Sequence, residues 1–109
     1  MIGGWLQILA EEILVESGQA LDFNISLQNY GRFSAKGVVA ELNSSSEYVT
    51  IGDAINLYGT IDPYSIVSES FPVIIHGIVY ENEDLDFTLT IKDNIGNIWI
   101  NHVPVKVSG

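Results

Sequence analysis

Residues 85–93 of this chain, Leu-Asp-Phe-Thr-Leu-Thr-Ile-Lys-Asp, alternate apolar and polar side chains without interruption and stop at Asn94-Ile95-Gly96-Asn97. Residues 21–28, Leu-Asp-Phe-Asn-Ile-Ser-Leu-Gln, do the same and stop at Asn29-Tyr30-Gly31. A period of two places every second side chain on one face of a pleated strand, so each segment reads as a strand with one dry face and one wet face. Leu21, Phe23, Ile25 and Leu27, together with Phe87, Leu89 and Ile91, are therefore expected to meet in one core between stacked sheets.

The rest of the chain reads the same way. Val38, Ala40 and Leu42 mark the dry face of a further strand after residues 29–34, and Asn43-Ser44-Ser45-Ser46 ends it as a polar loop. Residues 48–51 and 55–58 read as short strands, the second ending at Gly59, and Asp62-Pro63-Tyr64-Ser65 reads as a turn with Pro63 setting φ. Residues 66–79 form a long β-rich run in which Phe71, Val73 and Ile75 share one parity; Pro72 cannot donate to a ladder, so that strand is expected to be an edge or bulged there. Residues 86–93 and 98–107 close the chain as a hairpin, with Pro104 placing part of the last strand on an edge. Residues 5–16 carry two patterns, a partial helical spacing and a strand over Ile13-Leu14-Val15; the strand fits a chain that is otherwise β. Seven to nine short strands with turn signals every 8–12 residues indicate an all-β, immunoglobulin-like antiparallel β-sandwich in a single domain over residues 1–109, with residues 1–10 as a lead-in.

Charge and composition exclude several function classes. Fourteen acidic residues face four basic ones, for a net charge of −10, a surface that repels nucleic-acid backbones and anionic lipid headgroups. Nucleic acid and membrane insertion are thus not expected as partners, and no run approaches the ~18 apolar residues of a membrane helix. The absence of cysteine removes disulfides, thiolate metal sites and thiol nucleophiles. Hydrophobic residues make up 47% of the chain, enough to build a core.

No residue set specifies a reaction. There is no Gly-x-Ser-x-Gly elbow, no serine can be matched to a base, and no glycine-rich loop cradles a phosphate. Glu81, Glu83, Asp84 and Asp86 offer hard oxygen ligands for calcium but lack EF-hand spacing, so a solvated acidic loop is the simpler reading and no cofactor is expected. His76 and His102 are read as surface histidines. Aromatic residues are the better lead to a ligand: Trp5, Tyr30, Phe33, Tyr48, Tyr58, Tyr64 and Tyr80 all fall at or near loops and strand ends. Should Tyr30, Phe33, Tyr64 and Tyr80 share one end of the sandwich, they would form a contact surface for a glycan or a protein. In the bland alternative, Tyr48 and Tyr58 cap the core and Tyr64 fills a turn.

The turn Ser17-Gly18-Gln19, the strand and turn at 21–31, Ala35-Lys36-Gly37-Val38 and the following aliphatics resemble the CARDB-type bacterial and archaeal surface domain. The later segments Tyr48-Val49-Thr50-Ile51, Tyr58-Gly59-Thr60-Ile61 and Phe87-Thr88-Leu89-Thr90-Ile91, with Asp93, Gly96 and Trp99, extend the resemblance over nearly the whole chain. It implies a fibronectin- or immunoglobulin-like module of a secreted or cell-surface protein, excised here from a longer polypeptide. Such a module is non-catalytic, acting as an accessory, spacer or adhesion element whose partners are neighbouring domains of the same polypeptide. The alternative expectation is a carbohydrate-binding module that uses loop aromatics, with calcium as a weak further possibility.

Overall fold

The computed structural model describes residues 4–9, 12–77 and 85–107. In chain order the strands are β1 (Leu6–Ile8), β2 (Ile13–Val15), β3 (Ala20–Asn29), β4 (Ala35–Ser44) and β5 (Val49–Ile51). They continue with β6 (Ile55–Ile61), β7 (Ile66–Ile75), β8 (Phe87–Lys92), β9 (Ile98–His102) and β10 (Val105–Val107). One sheet has the order β1-β3-β7-β5 and the other β6-β4-β8-β9, while β10 and β2 pair separately. The two larger sheets stack as an immunoglobulin-like sandwich, with long-range pairings β3–β7 and β4–β8 tying together strands distant in sequence.

The alternation in β3 and β8 does what a period of two requires. Phe23, Ile25 and Leu27 from one sheet and Phe87, Leu89 and Ile91 from the other are buried, and Phe71, Val73 and Ile75 of β7 join them. The rings of Phe23 and Phe87 meet across the interior with centroids 4.8 Å apart and planes tilted by 51°. Offset, tilted rings suit the aromatic quadrupole and bury large apolar area at the same point. Among the described residues, no buried side-chain nitrogen or oxygen lacks a hydrogen-bond partner.

Several details depart from the linear reading, each for a local reason. Ten strands are described where seven to nine were expected. The ambiguous N-terminal stretch holds two of them, β1 pairing antiparallel with β3 and β2 pairing parallel with β10. The closing hairpin ladder runs only over β8 and β9, from Lys92–Ile98 to Thr88–His102. Pro104 has no N–H to continue it; its carbonyl instead accepts from Ile13 N at 2.9 Å, and the chain leaves for the β2 pairing. β6 does not stop at Gly59 but continues to Ile61, because Val38–Gly59 and Val39–Leu57 are successive rungs and Tyr58 is the extra residue of a bulge. β7 is flanked by strands on both sides at Val73 and Ile74, yet Pro72 lies one residue beyond the β5 ladder, where its carbonyl accepts from Gly52 N and its missing N–H interrupts no rung with β3.

The molecule measures 45 × 21 × 19 Å. The register sets what lies at each end of the long axis. The start of β1 pairs with the end of β3, and the turns at 30–34 and 62–65 flank that point, with Asn94 N donating to Lys36 O beside them. The turn at 16–19, the loop at 45–48 and Val107 lie at the opposite end, where Ile75 N donates to Gln19 O and His76 N to Tyr48 O.

Candidate functional site at the aromatic end

Continuing the inward parity of β3 one step past Leu27 points Asn29 into the sandwich, and its side chain is fully buried, 0% exposed. A buried carboxamide must find two acceptors and its oxygen must find donors. Asn29 Nδ2 donates to Phe33 O at 2.8 Å and Ile61 O at 2.9 Å. Asn29 Oδ1 accepts from Trp5 N at 2.9 Å and from Gly31 N at 2.9 Å. Its backbone adds two more ties, donating to Ser65 O at 3.2 Å and accepting from Tyr64 N at 2.6 Å. Tyr30 N donates to Trp5 O at 2.7 Å. One residue thus fixes its own turn at 31–33 and two segments remote in sequence, Trp5 and residues 61–65.

Two glycines make room for this arrangement. A Cβ on Gly4 would lie 2.7 Å from Asn29 Nδ2, and one on Gly31 would lie 2.8 Å from Trp5 N. Both distances are inside any tolerated contact, so the close approach of residues 4–5 to residues 29–31 requires glycine at these positions.

The consequence is an end surface carrying four exposed aromatic rings: Trp5, Tyr30, Phe33 and Tyr64. Tyr64 is held there by an unusual backbone. Ser65 N donates to Asp62 O at 3.0 Å, closing a β-turn with Pro63 at its second position, and Tyr64 at the third has φ of 64°. A positive φ at that position marks a type II turn, which ordinarily takes glycine or asparagine. Ser34 Oγ donates to Asp62 Oδ1 at 2.7 Å and ties this turn to the one carrying Phe33. Arg32 and Lys36 flank the same end and are exposed, so this acidic chain places two of its four basic residues beside the aromatic rings.

Of the residues expected to form a contact surface, Tyr30, Phe33 and Tyr64 are thus brought together, and Trp5 joins them. Tyr80 lies outside the described residues, as do Glu81, Glu83 and Asp84 of the acidic loop. Tyr48 is half-buried and packs on the core at the opposite end. Tyr58 is buried and donates its hydroxyl to Ile25 O at 2.9 Å, linking the two sheets. Burial, and secondarily the charge of Glu69, pushes its phenol well above the ordinary tyrosine value. His76 and His102 are exposed, and among the described residues no three histidine, aspartate or glutamate side chains are grouped to hold a metal ion. A small cleft of about 170 Å³, lined by Ile8, Glu12, Asn24, Val103 and their neighbours, opens where the chain passes from β1 to β2; neither histidine reaches it. The sequence reading missed Asn29, although the parity of β3 carried the signal.

No family model matches this chain, and no curated protein matches it. Solved structures do share its fold. The secreted serine protease VesC from Vibrio cholerae aligns at TM-score 0.56 and 12% identity, over 94% of this chain and 23% of that one. The YadV chaperone aligns at TM-score 0.52 and 9% identity, over 94% of this chain and 50% of that one. The chain thus spans about a quarter and a half of the length of these two relatives. The BIgI domain of beta protein from S. agalactiae, solved bound to CEACAM1, aligns at TM-score 0.44 and 21% identity over 96% of both chains. At these identities the likeness to the first two concerns architecture alone. Among the described residues no helix is long and apolar enough to cross a membrane.

Proposed function

We propose that this chain is a non-catalytic, CARDB-like module of a larger secreted or cell-surface polypeptide, and that its aromatic end is its docking surface for a neighbouring domain. The observation that carries this reading is the coincidence of two features at one end of a 45 Å molecule. Trp5 leads directly into β1 there, and Tyr30, Phe33 and Tyr64 surround it with exposed rings. Val107 leaves from the opposite end, so the chain enters and exits along the long axis as a spacer requires. A rigid aromatic cluster beside the point of chain entry suits an interdomain junction, whose interfaces are modest in area and anchored by a few large side chains. The Asn29 hydrogen bonds prevent the supporting turns from rearranging. Arg32 and Lys36 favour an acidic neighbour.

A glycan is the second reading, and the clustered exposed rings favour it, since tyrosine and tryptophan faces stack on the apolar faces of sugar rings. One pair of measurements separates the two. In the full-length polypeptide, the melting temperature of this module should exceed that of the isolated chain, and Phe33→Ala should erase the difference. If the two melting temperatures agree, the domain junction is rejected. Binding on a glycan array that disappears with Tyr64→Gly would then establish the sugar reading.

A further inference from the structure

The outward face of the β6-β4-β8-β9 sheet is not built like a solvent face. Leu57 and Ile55 project from one outer strand, with 74% and 52% of their surfaces exposed, and Ile100 and Ile98 from the other, with 71% and 59%. The register arranges them in two rows, Leu57–Val39–Lys92–Ile98 and Ile55–Glu41–Thr90–Ile100. Each row is thus aliphatic at both margins and carries one charge near the middle, an acid in one and a base in the other. On a chain with fourteen acidic and four basic residues, such local neutrality stands out.

We infer that this face binds a second copy of the same chain through a weak, two-fold symmetric contact. When identical faces stack, the symmetry axis lies in the plane between them, and every contact away from the axis occurs twice. An axis running diagonally between the two rows exchanges Glu41 and Lys92, so Lys92 of one protomer lies over Glu41 of its partner, and the reverse. With strands about 4.8 Å apart and residues rising about 3.3 Å, the same axis passes close to Leu57 and Ile100, which then pack on their own symmetry mates. A depression of about 240 Å³ lined by Val39, Glu41, Ile55, Thr90 and Lys92 falls on the axis and gives the two ion pairs room. The match of charges selects a copy of this chain over an arbitrary acidic or basic partner. The face spans roughly 300–400 Å² by the same spacings, below the ~800 Å² per partner of a stable complex, so the contact is a weak one.

Sedimentation velocity of the isolated chain between about 10 μM and about 1 mM tests this. The weight-average mass should climb towards that of a dimer across the series. Lys92→Glu and Glu41→Lys should each weaken association about ten-fold, and the two together should restore it to within about three-fold of the parent. Leu57→Ser, which replaces an exposed apolar side chain with a short polar one, should weaken it as well while leaving thermal unfolding of the monomer unchanged. A chain that stays monomeric throughout, or a dimer indifferent to Leu57→Ser and to the charge exchange, would overturn the inference.

Discussion

Asn29 satisfies all four hydrogen-bonding positions of its carboxamide with backbone groups from Trp5, Gly31, Phe33 and Ile61. Asn29→Ala leaves those groups to compete for water at a partly closed site and should cost about 2–4 kcal/mol in a urea titration. Asn29→Asp keeps the shape but points a carboxylate at two carbonyl oxygens, which should raise the pKa of the introduced carboxyl above its unfolded value. The sign follows from linkage: the stability it retains is present below the ordinary carboxylate pKa and is lost as pH rises. The deficit relative to the parent should therefore be larger at pH 7 than at pH 4. Tyr64 presents the opposite case, a residue whose backbone carries strain. A left-handed conformation costs an L-residue about 1–2 kcal/mol, while glycine gives up about 0.5–1 kcal/mol of unfolded-state entropy. Tyr64→Gly should thus stabilise the fold by up to about 1 kcal/mol while removing an exposed ring from the aromatic end. A destabilised Tyr64→Gly would mean that the ring contributes to packing rather than to contact. From the sequence, Tyr64 was legible as a turn residue because Pro63 precedes it, but its positive φ was not, since nothing in the chain marks a tyrosine for that role.

Among the elements, β3 and β8 are where local pattern and tertiary packing agree most closely. Phe23→Ala, which empties the fully buried side of the Phe23–Phe87 contact, should cost about 3–5 kcal/mol. Thr88→Ala, on the outward face of β8, should change stability by no more than about 0.5 kcal/mol. Comparable shifts in the denaturation midpoint for the two variants would contradict the assigned faces. Long strands were readable because the eight alternating residues at 21–28 leave one register that turns Phe23, Ile25 and Leu27 inward together. Of the three-residue strands, β2 and β5 fall on segments read as strands, Ile13-Leu14-Val15 and residues 48–51, whereas β1, and β10 as a strand separate from β9, were not readable. They hold too few residues for any period to show, and their conformation depends on which neighbour offers a free edge. Pro104 was legible as an interruption, yet the parallel pairing beyond it followed from the position of β2, which lies far away in the chain.

For the molecule as a whole, Tyr58 shows how the two sheets are locked together. Its hydroxyl reaches from β6 to Ile25 O of β3, and burial holds the phenol protonated beyond its ordinary range. Because the folded-state pKa is raised, the associated stability is intact below about pH 10, where the unfolded phenol titrates, and is lost as pH rises beyond it. Thermal melts of the parent should fall more steeply above about pH 10 than those of Tyr58→Phe, which should itself cost about 0.5–1.5 kcal/mol near neutrality. Equal alkaline slopes would show that another group controls the loss. The sequence by itself determined the β-class, the inward residues of the long strands and the lack of a recognisable catalytic motif, because alternation and residue chemistry are properties of neighbours along the chain. Only the tertiary structure decided that Trp5, Tyr30, Phe33 and Tyr64 share one end, that Asn29 holds them there, and that four aliphatic side chains share an outer sheet face. Those facts depend on which distant strands pair, and pairing is settled by the joint burial of the whole core, to which no single segment holds the key.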